Sequence, residues 1–270
     1  MKKWLPVIGT GALAVSLAAC GAQTENGLTV EEVFAKSAEA SEEVNSMHAE
    51  MAIEQTITSE EMDMSTSMDM AVDMVVEPLA MHQEGTVIIK APEMPEMPME
   101  MEMYMTPEGI YMHDGMSGGW IKMPGDDVEQ MQAMMNQQAA DPAEQLEQLE
   151  PFQDDFTFEE TEEAYVLSLD ASGEEFQQLL DQEMENLADQ LGAEGAETLG
   201  EVEIKSVQYK IDINKETYMT ESLDMTMDLS MTAEGETVDV IQKVESVFSQ
   251  FDEIEAISVP QDIIDQAQEF

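Results

Sequence analysis

The chain has 270 residues, with 60 Asp and Glu against nine lysines and no arginine, a formal net charge of −51 at pH 7. Over a Debye length of about 8 Å this charge repels nucleic acid and anionic headgroups, so nucleic acid is excluded as a partner. Yet 43% of the residues are hydrophobic, enough for a sizeable core and too many for an acidic disordered chain.

In chain order, Lys2 and Lys3 precede an apolar run from Leu5 to Leu17, and small residues then lead into Cys20, the only cysteine. A basic start, a short apolar core and a small-residue cleavage site make a secretory signal. With cysteine at the first mature position, Leu17-Ala-Ala-Cys20 resembles the lipobox of diacylglyceryl-modified lipoproteins. The run is too short to span a bilayer comfortably. The reading is a signal peptide over 1–19, a lipid-anchored tether over 20–27 and one domain over 28–270. It places a monomer on the extracytoplasmic face of the cell membrane. Acylation of Cys20 leaves no thiol for disulfides, metal binding or catalysis.

Thr29-Val-Glu-Glu32 has capping-box form, and Val30, Val33, Phe34, Ser37, Ser41 and Val44 share one helical face over 29–45. The period then changes to two. Met47, Ala49, Met51, Ile53 and Ile57 point one way, with His48, Glu50 and Glu54 the other. Next, Met62, Met64, Met68, Met70, Val72 and Met74 alternate with Asp63, Ser65, Ser67, Asp69 and Asp73, the pattern of an antiparallel strand with one dry face. A third strand covers 79–90. The prolines of 91–98 predict an extended loop or sheet edge, because they lack ladder donors. Met99, Met101, Met103 and Met105 resume the alternation, followed by short strands near 110–113 and 120–123. Helical patterns occupy 126–150 and 172–191, on either side of a hairpin with strands at 156–160 and 165–170. Three long strands then cover 202–214, 218–232 and 238–248, and a short helix runs from Gln261 to about Gln268. These elements predict an α+β fold: a strongly curved antiparallel sheet whose concave face is covered by the 29–45, 126–150 and 172–191 helices.

Three short motifs carry a family resemblance. Gly119-Trp-Ile-Lys122, Tyr209-Lys-Ile-Asp-Ile-Asn-Lys-Glu-Thr217 and Ile257-Ser-Val-Pro260 resemble a strand, a hairpin and a closing segment of uncharacterised Gram-positive lipoproteins. Those lipoproteins look like relatives of the LolA/LppX/LprG half-barrel superfamily. The resemblance implies a half-barrel with an apolar cavity able to hold acyl chains, and a non-enzymatic carrier role.

The candidate cavity residues are the methionines Met68, Met70, Met101, Met103, Met225 and Met227, with Trp120 on the sheet or at the cavity rim. Methionine is an adaptable apolar filler that accepts ligands of varied shape. The alternative is a soft-metal site for copper or silver, since Met-x-Met pairs at 62/64, 68/70, 99/101/103/105 and 225/227 could align thioethers beside His48, His82 or His113. No nucleophile–base set, phosphate loop or dinucleotide fingerprint is present, so no catalytic residue and no cofactor are assigned.

The acids are spread along the whole chain, which predicts a solvating coat and no discrete cation site. Melting temperature should therefore rise smoothly with ionic strength, equally in sodium and potassium chloride, as mutual repulsion is screened. Thermal melts across both salts and across micromolar calcium test this; a saturable calcium shift would show a specific site.

Overall fold

Alternation of an apolar and a polar residue at every step, sustained for 13 or 14 residues, leaves a strand no arrangement but a sheet with one dry and one wet face. The computed structural model, which describes residues 27–59, 63–92, 95–115, 118–123, 156–172, 201–233 and 236–269, is built this way almost throughout. Helix α1 (Val30–Glu42) leads into β1 (Ser46–Thr58), β2 (Asp63–Val75), β3 (Ala80–Lys90), β4 (Met97–Thr106), β5 (Gly109–Asp114) and β6 (Gly119–Lys122). Next come β7 (Thr157–Glu160), β8 (Ala164–Ser172), β9 (Glu201–Asn214), β10 (Thr220–Ala233) and β11 (Glu236–Ser249). Helix α2 (Gln261–Gln266) and β12 (Gln268–Glu269) follow. The twelve strands form one sheet in the order β12-β6-β5-β4-β3-β2-β1-β11-β10-β9-β8-β7. Every pair is antiparallel except β12 with β6.

This corrects the expected α+β half-barrel. Two short helices are present among the described residues, and they lie on opposite faces of the sheet. Helix α1 puts Val30, Val33 and Phe34 into a core with Phe156, Leu167, Leu169 and Ile211, so it covers the β7–β9 end of the apolar face and reaches Thr220 and Met227 of β10. Helix α2 packs Ile263 with Tyr104 and Tyr111 on the other face. The amphipathic stripe of α1 required a dry partner surface. It found one where β7, β8 and β9 supply bulky aliphatic and aromatic side chains, at the end of the sheet away from the methionines of β2 and β4. The expected helix over 126–150 lies outside the described residues, as do the signal segment, Cys20 and Met62; of the helix expected over 172–191, Ser172 is the last residue of β8 and the rest lies outside the described residues.

Local signals hold at the helix start. Glu32 N–H donates to Thr29 Oγ1 at 3.2 Å and Thr29 N–H donates to Glu32 Oε2 at 3.0 Å, the reciprocal capping box. At the β9–β10 turn, Asn214 Oδ1 accepts from the N–H groups of Glu216 and Thr217 at 2.9 and 3.1 Å. The Pro-rich segment differs in part from the loop reading: β4 begins at Met97, with Pro98 opposite Ile88. Proline is tolerated there because it stands at the start of the strand. After β11 the chain turns through Gln250 and Asp252, both at positive φ, and ties back to β1. Asp252 N–H donates to the Ser46 carbonyl at 2.8 Å and Ile254 N–H to Ser46 Oγ at 3.1 Å. Ile257 and Val259 then pack beside Tyr104 and Trp120 before α2.

Gly85 in the middle of β3 stands between Met70 of β2 and Met101 of β4. A Cβ there would press on the Asp69 backbone carbonyl oxygen and lie 3.0 Å from Met70 Cγ. Backbone in a paired strand has little freedom to yield. Gly85→Ala should therefore destabilise the protein by about 1–3 kcal/mol through overpacking, read by urea denaturation. An unchanged midpoint would mean that β2 and β3 do not approach this closely.

Candidate functional site

The registers place most apolar positions of the long strands on a single face, with Ile241 and Val247 of β11 exposed on the other. One row reads Leu223, Ser246, Met51, Met70, Gly85, Met101 across β10, β11, β1, β2, β3 and β4. The next reads Met225, Val244, Ile53, Met68, Val87, Met99. On the other side of the first lies Phe248, Ala49, Val72, Gln83, Met103, Met112, Ile121. Five of the candidate methionines thus fall in three adjacent rows. Met227 lies one row beyond Met225, opposite Gln242, and packs against the α1 core. All six are half-buried. Met70 and Met101 are two strand spacings apart, about 10 Å, with no side chain between them. The amide of Gln83 lies among these apolar rows and donates from Nε2 to Met70 Sδ at 3.1 Å.

Trp120 is not part of this surface. It pairs with His113, which faces the opposite side of the sheet, and its ring lies 6.0 Å from Tyr104 and 5.4 Å from His113. There it packs with Ile257, Val259 and Ile263, as wall of the C-terminal segment. Of the two placements expected for Trp120, the side chain takes the one on the sheet, on the face away from the methionines.

The opposite face is polar and acidic. His48, Asp73, His82, Tyr104, Tyr111 and Lys122 form one row across β1 to β6. His48 Nδ1 is 2.6 Å from Asp73 Oδ1, and His82 Nε2 is 3.3 Å from Glu102 Oε1. His82 also stacks on Tyr104, with ring centroids 4.2 Å apart. Two of the three histidines are thus engaged by carboxylates. Below this row lies a hollow of about 710 Å³, ringed by Glu50, Asp69, Glu84, Glu100, Glu102 and Glu245 over small residues such as Ala52, Ala71 and Thr86. Among the described residues no three or more His, Cys, Asp or Glu side chains converge as a metal site.

Residues 29–268 match a family described as a family of unknown function, DUF6612. The chain belongs to that family. No curated protein matches it. A DUF1329 family protein from Desulfovibrio piger, of known crystal structure, is similar over 85% of this chain and 95% of that one, at 8% identity and a TM-score of 0.21. That likeness is too weak to argue from. For DUF6612 the comparisons therefore establish membership and leave function to the geometry.

The hollow was not legible from the sequence, because its lining comes from five strands and pairing acids along one strand says nothing about their neighbours. Gln83 was missed too. Its signal was a polar residue at a position where the strand's alternation calls for an apolar one.

Burial, a hydrogen bond donated to Glu102 and the nearby negative charges push the Tyr104 phenol up from 10.0 to about 12. The folded state then holds this proton more tightly than the unfolded one. Its contribution to stability is complete below pH 10.0 and lost as pH rises towards about 12. Chemical denaturation across that window should show the decline, and Tyr104→Phe should flatten it. An equal decline in the variant would remove Tyr104 as its source.

Proposed function

We propose that this DUF6612 chain is a non-enzymatic, lipid-anchored extracytoplasmic lipoprotein whose methionine-lined sheet face binds an apolar ligand, with an acyl chain as the chemistry that fits best. The observation that carries the reading is the gathering of Met51, Met68, Met70, Met101, Met103 and Met225 on adjacent rows of one face, all half-buried. A core made only for stability favours branched side chains with well-defined rotamers, whereas unbranched thioethers adapt to varied apolar shapes. The lipobox ending at Cys20 supports the anchor and the compartment. Kinship with the LolA/LppX/LprG lipoproteins is part of the proposal and rests on the Trp120, Tyr209 and Ile257 motifs.

The test is native mass spectrometry and organic extraction of the full chain purified from its own membrane. An apolar adduct should accompany the protein. Changing Met70 and Met101 together to Gln should weaken binding of a fluorescent fatty-acid probe about ten-fold, the effect of losing about 1.4 kcal/mol of apolar contact. Repeated absence of both adduct and probe binding would overturn the reading. Tight stoichiometric silver(I) binding that is lost on Met→Leu replacement, with no apolar adduct, would assign the face to a soft metal instead.

A further inference from the structure

The Gln83 amide lies on a strand position whose row neighbours are Val72 and Met103, and one of its two N–H donors goes to a thioether sulfur, a weak acceptor. On an apolar face such an amide matters most if that sulfur becomes a strong acceptor. Oxidation does this. A sulfoxide oxygen on a half-buried, apolar surface is costly to leave unpaired, and here the N–H that could pair with it is already 3.1 Å from Met70 Sδ. Met101 stands opposite across Gly85, so a second thioether shares the same gap. By contrast Met105 is fully buried and Met81 nearly so, in a core cluster with Ile110. Met70 is thus half-buried beside a donor, whereas Met105 and Met81 are buried in a core.

We propose that Met70, with Met101 across Gly85 from it, is an oxidation site at which hypochlorous acid converts thioether to sulfoxide, and that Gln83 holds the product at Met70. The methionine sulfur gives two electrons; an S–O bond forms, the O–Cl bond breaks, chloride leaves and the hydroxyl proton passes to water. The product replaces apolar surface at the centre of the face with a strong dipole, reversibly, since sulfoxides are reduced enzymatically. Release of an apolar ligand on oxidation rests on the function proposed above; the modification itself does not.

The test treats the folded full chain with graded hypochlorous acid, quenches with free methionine and maps each residue by peptide mass spectrometry. Met70 and Met101 should oxidise at least about ten-fold faster than Met105 and Met81, and methionine sulfoxide reductases should restore the original mass. The melting temperature should fall little in the oxidised wild type and more in oxidised Gln83→Leu. Gln83→Glu removes the donor at constant length, and should repeat the larger fall if the leucine variant does not fold. Oxidation of Met70 no faster than of Met105, or an equal fall in melting temperature with and without the Gln83 donor, would overturn the proposal. Probe binding by the unoxidised protein is measured separately, so a failure of ligand binding is not confused with a failure of the oxidation site.

Discussion

Continuous pairing of strands in register is the constraint on which everything else in this molecule depends. A strand's side chains alternate with a period of two, so a slip of one residue anywhere would carry a row of methionines to the acidic side and a row of carboxylates to the dry side. From β2 to β11 the pairs through β1 keep that register over their full length. The shifts that do occur are confined to β9 against β10. The large net charge is tolerable because this alternation sends most of the strands' acids to one face, where water screens them, and keeps them away from the apolar rows.

Much of this was legible in the residues themselves. The Met/Asp alternation of 63–74, the capping box at Thr29 and the Asn214 turn each follow from short-range rules, and each stands where those rules put it. The gathering of Met68, Met70, Met101, Met103, Met225 and Met227 on one face was legible because every one of them alternates with a polar neighbour. Trp120 was not, since β6 has only four residues and its facing is fixed by pairing with His113, not by its own pattern. Helix coverage was misjudged for a related reason. An amphipathic stripe states that a helix needs a dry surface but not which part of it, and the bulky side chains of β8 and β9 decided the matter for α1. The hollow between Glu50, Glu84 and Glu102 depends on which small residues from neighbouring strands happen to align, information that no single strand contains.

The two faces divide the chemistry of the chain. On one, thioethers and aliphatic groups present a soft, weakly polar surface relieved by Gln83 and Gln242. On the other, carboxylates engage His48 and His82, and the C-terminal segment lays Ile257, Val259 and Ile263 over Tyr104 and Tyr111. Among the described residues, the C-terminal segment is what covers the aromatic end of the polar side. It supplies an apolar cover where the aromatic side chains of β4, β5 and β6 break the acidic pattern.

The edges of the sheet have a consequence for colloidal behaviour. Interior strands of 13 or 14 residues with a methionine face would be templates for polymerisation if one of them stood at a border with its amides unpaired. Instead, among the described residues, the borders are β7, four residues long and carrying Glu159 and Glu160, and β12, two residues long and ending in Glu269. A neighbouring molecule attempting to add a strand meets a short ladder and carboxylates at either border. Borders this short and acidic oppose edge-to-edge growth of the sheet.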